Sequence, residues 1–148
     1  KMKKKVILGS ILFSICTLAI AQTALPPAFY IKADDIDSAL QKSAGERVNM
    51  AVGTINNGDD YRINLIRRTA AAGAIVHEVG TELHFITEGA GTLLTGGIIV
   101  RAADGGRANI EQGLARRVTV GDAILIPEGT PHQYTAVEGA ISYLEVRF

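Results

Sequence analysis

The side chains able to carry chemistry are concentrated in two stretches. All three histidines of the 148-residue chain fall in segments dense in turn residues, one running from Ile75 to Gly89 and the other from Gly121 to His132. The first holds His77, Glu78, Glu82, His84 and Glu88; the second holds Asp122, Glu128 and His132. Imidazole and carboxylate are the groups that ligate divalent metals and move protons near neutral pH. Residues two apart on a strand share a face, so Glu82 and His84 point the same way, as do His132 and Tyr134. Glu78 follows His77 and is expected to face the opposite way, into solvent.

The elements that must position these groups are mostly strands. Apolar or β-branched runs recur over Arg47–Ile55, Tyr61–Thr69, Ala74–Val79, Glu82–Thr87, Gly91–Leu94, Gly97–Arg101, Arg117–Val120, Ala123–Ile126, His132–Val137 and Ala140–Phe148. Asn57-Gly58, Glu88-Gly89, Gly96-Gly97, Gly105-Gly106 and Glu138-Gly139 are read as the turns between them. Short strands at this spacing predict a sandwich or barrel. One helix is predicted over Asp34–Lys42, with acids in its first turn, Ile36 and Leu40 four apart, and Gly45 placed to end it. Residues 102–108 are expected to form the most flexible loop, and Arg116-Arg117 a solvated strand start.

The beginning of the chain reads differently. Lys1, Lys3, Lys4 and Lys5 precede an apolar run from Val6 to Ile20, and Ala19-Ile20-Ala21 offers small residues where a signal peptidase cuts. Residues 1–21 are therefore expected to be a secretory signal peptide, residues 22–46 an N-terminal tail and short helix, and residues 47–148 the β-domain. The expected location is periplasmic or secreted, with no membrane attachment after cleavage. The remaining 127 residues suffice for one core. They carry eleven basic and fifteen acidic side chains, a formal charge of −4, with no basic cluster larger than an arginine pair. No nucleic-acid partner is expected. The single cysteine, Cys16, lies in the signal, which leaves no disulfide and no thiolate ligand or nucleophile downstream.

The two histidine-bearing segments resemble the two motifs of the cupin superfamily. The first motif places a glutamate five positions after a histidine and a glycine seven beyond that, as in His77, Glu82 and Gly89. The second runs glycine, five residues, Pro-x-Gly, two residues, histidine, as in Gly121, Pro127, Gly129 and His132. Phrases such as Gly91-Thr92-Leu93-Leu94-Thr95-Gly96-Gly97 and Ile124-Leu125-Ile126-Pro127-Glu128-Gly129-Thr130-Pro131-His132 are similar to a subgroup of small exported bacterial cupins. The resemblance implies an all-β, cupin-type jelly-roll barrel. It departs at two places: Ile75 stands where the first histidine usually sits, and Ala136 where an asparagine often closes the second motif.

What the resemblance implies about the site follows. His77, Glu82 and His132 match three of the four usual metal ligands, a set that suits mononuclear iron or zinc and leaves positions for water or substrate. The cofactor would be one divalent ion, with iron, manganese, nickel and zinc left open. His84 takes the place that Ile75 vacates, or stands beside the ligands as an acid–base group, or merely lines the barrel wall. Tyr134 and Tyr143 are further pocket candidates, with Tyr134 and His84 the pair able to move protons. Metal-dependent dioxygenase, isomerase, decarboxylase and lyase chemistry all occur on this fold, so fold cannot choose among them. The alternative is a non-enzymatic pocket for a sugar or aromatic acid with a degenerate metal site. Leu83, Phe85 and Thr87 make an outward face apolar enough to predict a homodimer.

Overall fold

The computed structural model describes residues 24–148, and the expected signal peptide over residues 1–21 lies outside them. One helix, α1 (Ala33–Ser43), precedes eight strands: β1 (Met50–Asn57), β2 (Arg62–Arg68), β3 (Glu82–Thr95), β4 (Ile98–Val100), β5 (Asn109–Glu111), β6 (Leu114–Thr119), β7 (Ala123–Ile126) and β8 (His132–Arg147). The main sheet is ordered β1-β2-β8-β3-β6, with β7 also on β3, and β4-β5 form a separate ribbon. Every pairing among them is antiparallel. This is the jelly-roll architecture expected from the sequence.

Two long strands organise it. The first half of β3 pairs with β7 and its second half with β6, while β8 runs along its other edge throughout. The predicted turns at Glu88-Gly89 and Glu138-Gly139 are instead interior to β3 and β8. Glycine there marks irregular pairing, not the end of a strand: the β3–β8 register shifts between Ile86 and Glu88 and again between Gly89 and Gly91. Gly89 has φ +72°, and a Cβ built on it would lie 1.9 Å from the Ala140 carbonyl oxygen. Backbone cannot yield there as a flexible side chain would. Gly89→Ala is therefore expected to cost about 4 kcal/mol or more, read as a fall in the chemical-denaturation midpoint.

Ala74–Val79 is the other correction. Predicted as a strand, it is irregular apart from one bridge between Ile75 and His132. The helix matches its prediction within a residue at each end, and its acids Asp34 and Asp35 sit in the first turn. It crosses β1 at Gly53, where an added Cβ would come within 2.9 Å of the Leu40 amide nitrogen. Ser43 ties the helix down by accepting the Val52 N–H at 2.8 Å. Residues 102–108 form an irregular loop, anchored at its end by buried Ala108. Arg117 is not simply solvated: it makes a two-point ion pair with Glu138 across the sheet.

The barrel interior is apolar at one end and polar at the other. Ile66, Ile86, Leu93, Val118, Ile126, Tyr134, Ile141 and Tyr143 form the core cluster. Above them the register stacks cross-strand layers. Asn64, Glu145, His84 and Ile124 face one another along β2, β8, β3 and β7, and the next layer sets Arg147 beside Glu82.

Candidate metal centre

His77 lies in the irregular segment before β3, Glu82 starts β3 and His132 starts β8. Backbone bonds lock the two histidine-bearing stretches together. The Gly129 N–H donates to the His77 carbonyl at 2.8 Å, and Ile75 and His132 exchange both of their backbone bonds at 3.0 and 2.9 Å. The 127–131 turn is closed by the Thr130 N–H on the Pro127 carbonyl at 3.0 Å, with Gly129 at φ +72°. Proline and glycine restrict that turn to few alternatives, which fixes where His132 emerges.

Glu82 is the hub, 1 % exposed. Its Oε1 is 2.9 Å from His77 Nε2, and its Oε2 is 3.2 Å from His84 Nε2 and 3.4 Å from His132 Nε2. Burial alone pushes this carboxyl up. The His84 hydrogen bond and the charges of His132, His77 and His84 outweigh it and hold the pKa down to about 2. For His132 burial dominates in the other direction, keeping its pKa below the ordinary imidazole value and favouring the neutral ligating form.

The proton inventory tests whether these groups fit a metal. His132 Nδ1–H donates to the Thr130 carbonyl at 3.2 Å, which leaves the Nε2 lone pair facing Glu82. His77 Nε2 lies 2.9 Å from both the Arg147 NH2 group, which only donates, and Glu82 Oε1, which only accepts; with the ring proton on Nδ1 it accepts from Arg147 and has a lone pair that a cation could take instead. In that form two imidazole lone pairs and a carboxylate converge, with one donor atom from each residue lying within 4.8 Å of the others. Lone pairs gathered this way want a cation, and the nitrogen–oxygen set fits a divalent ion.

His84 is differently engaged. Burial raises the Tyr134 pKa far above its usual value, so the phenol keeps its proton and donates to His84 Nδ1 at 3.3 Å. His84 Nε2–H then donates to Glu82 Oε2. In this arrangement its lone pair is spent on Tyr134, and it orients the carboxylate. Ile75 is 41 % exposed at the mouth. Tyr143 is fully buried against His84, with ring centroids 4.5 Å apart and its pKa pushed up to about 12, chiefly by burial. A cavity of about 20 Å³ lined by Ile75, His84, His132, Tyr134 and Glu145 has room for one water-sized species. Glu78 is exposed, as expected.

Four interior residues escaped sequence reasoning. Arg147 bonds to Glu82 Oε1 through Nε at 2.9 Å and lies 2.7 Å from it through its NH2 group. Glu145 accepts from Asn64 at 2.9 Å, and Arg68 donates to the Tyr143 hydroxyl at 2.9 Å. A second donor set, Glu82, His84 and Glu145, lies one layer deeper, but these bonds already occupy it. The available signal was strand alternation, since Glu145 and Arg147 follow Tyr143 on one face.

With the geometry in hand, solved structures give the class: the domain has the cupin fold. It is similar to KdgF from Halomonas sp., with a TM-score of 0.54 and 16 % identity over 68 % of this chain and 81 % of that one. Hydroxypropylphosphonic acid epoxidase from S. wedmorenis matches at TM-score 0.55 and 14 % identity, over 70 % of this chain and 52 % of its own. The polyketide cyclase RemF from Streptomyces resistomycificus matches at 0.51 and 20 %, over 68 % of this chain and 65 % of its own. At these identities the likeness is one of fold, and the chain spans about half the epoxidase. No family model and no curated protein matches the sequence.

Proposed function

We propose that this chain is an exported metal-binding cupin whose barrel holds one divalent ion on His77, Glu82 and His132 and binds or transforms a small organic molecule beside it. The observation that carries this is the convergence of two imidazoles and an ionised carboxylate, whose ligand-type atoms lie within 4.8 Å of one another. Solved structures of the FeII and CoII forms of a protein named HppE share this fold, which supports a metal in this barrel type. When bound, such an ion supplies Lewis acidity or dioxygen activation. The chain's own part is proton handling. Glu82, His84 and Tyr134 form one hydrogen-bonded line in which the phenol orients the imidazole and the imidazole orients the ionised carboxylate, while a proton for a ligand would come from His84. Tyr134 serves there as a donor and not as a base.

Elemental analysis of untagged protein from its native compartment tests the reading. About one divalent ion per chain is expected, and metal-free protein that takes up none on titration overturns it. The second reading, a non-enzymatic binder of a sugar or aromatic acid, is favoured by the arginine already seated on Glu82, where it takes two of the atoms an ion would use. Turnover with candidate diols and keto acids separates the two.

Two further expectations belong to this proposal. Export predicts a mature N-terminus at Gln22, and an intact mass that retains residues 1–21 in exported material counts against it. Among the described residues, no helix is long and apolar enough to cross a membrane. Self-association is expected through the outer sheet face, where Leu83 pairs with Leu125 and Val146, and Phe85 with Leu144. Leu125 is 60 % exposed and Phe85 41 %. Light scattering should give a dimer mass at micromolar concentration; a monomer would refute it.

A further inference from the structure

Arg147 belongs to neither motif, yet its guanidinium lies 2.7 Å from Glu82 Oε1 and 2.9 Å from His77 Nε2. Those are two of the atoms a divalent ion would take. A guanidinium stays charged and has no lone pair to offer. An ion and this side chain cannot both use the His77 lone pair, and two cations a few ångströms apart repel. The same residue also walls a second space, a groove of about 510 Å³ lined by Asn57–Arg62 at the β1–β2 turn, Val79, Gly80 and Phe148. Gly80, at φ +88°, packs on the arginine stem; a Cβ there would lie 3.1 Å from Arg147 Cγ. The stem is thus held on the boundary, with the centre on one side and open volume on the other.

We propose that Arg147 has two positions. Without the ion it neutralises Glu82 and caps His77; with the ion bound, its guanidinium turns into the adjoining groove and receives a carboxylate of the organic ligand. This rests on the metal-centre reading above. The planar fork that now grips the Glu82 carboxylate is equally matched to a ligand carboxylate. Arg62, its cross-strand neighbour, adds a positive charge at the same groove and offsets the carboxylates of Asp59 and Asp60 on the turn, so the ligand carboxylate depends on the Arg147 fork and not on the rim. Arg147 is then the residue that selects for acids, and metal and acid bind with positive coupling.

The test uses protein stripped with chelator, titrated calorimetrically with Zn²⁺ alone and then with benzoate in the absence and presence of saturating Zn²⁺. R147Q should bind Zn²⁺ on the order of tenfold tighter or more, the scale of removing a competing charge at close range. Benzoate should bind wild type only in the Zn²⁺ form and should bind R147Q weakly in both forms. In ¹⁵N-edited spectra of wild type, Zn²⁺ should shift the Arg147 Nε–H signal away from its hydrogen-bonded position, a readout that needs no variant to fold. Equal or weaker Zn²⁺ affinity in R147Q, an unmoved Nε–H signal at saturation, or benzoate binding as tight to R147Q–Zn²⁺ as to wild type overturns the proposal and leaves the metal centre standing. No Zn²⁺ binding by either chain overturns both.

Discussion

Glu82→Gln is expected to reduce divalent-metal affinity by more than about 100-fold, beyond the loss typical of residues that only support a ligand. The carboxylate is in contact with all three histidines and with Arg147. The amide keeps a single acceptor and turns an NH₂ group toward donors, so it cannot restore the set. The same substitution should change stability. The Glu82 pKa is held down to about 2 from its ordinary 4.5, so the folded state favours the ionised form. That contribution, on the order of 3 kcal/mol, is fully present above about pH 4.5 and is lost as pH falls toward 2. Metal-free wild type should therefore lose stability across that window, and Glu82→Gln should be flatter there. Parallel acid-dependence curves for the two proteins, followed by denaturant melts at each pH, would show that Glu82 is not the group responsible.

His132→Ala should abolish metal binding, whereas His84→Ala should weaken it only on the order of 10–100-fold. The difference follows from which lone pair is free. His132 spends its Nδ1–H on Thr130 and turns a bare Nε2 toward Glu82, whereas His84 gives its Nε2–H to Glu82 and takes the Tyr134 proton at Nδ1. Titration of the same metal into both variants decides the matter. Equal losses would make His84 a ligand in the place that Ile75 leaves vacant, and an unchanged His84→Ala would reduce it to barrel lining.

The fold was legible because strand signals are local. Alternation and turn residues predicted the runs that became β1, β2, β7 and both ends of β8, and acids at Asp34 and Asp35 marked the helix. What misled was glycine. Gly89 and Gly139 read as turn residues, but a long strand that bends needs the same conformational freedom, and only the strand opposite reveals which case holds. Ala74–Val79 failed for a related reason: its apolar composition serves one bridge and a buried Ala74, with no partner strand to complete a ladder. At the site, His77, Glu82 and His132 were legible because their spacing repeats a motif, and His84 because it shares a strand face with Glu82. Arg147 and Glu145 were not, because charged residues near a strand end ordinarily face water. Alternation after Tyr143 set them on one face, but their charge reads the same as that of Arg62 on the neighbouring strand, which faces water.

The bonds that define the polar end of the barrel join residues far apart in the chain: 65 positions between Arg147 and Glu82, 70 between Arg147 and His77, and 81 between Asn64 and Glu145. Closing loops of that length costs entropy before any contact repays it. The ligand set shares this long-range character, since His132 starts β8 while Glu82 starts β3, and it is expected to complete late in folding. An ion meets its complete set of donors only after β8 has docked between β2 and β3, so metal acts on the finished barrel and does not template its assembly. Loading should accordingly slow unfolding far more than it speeds folding.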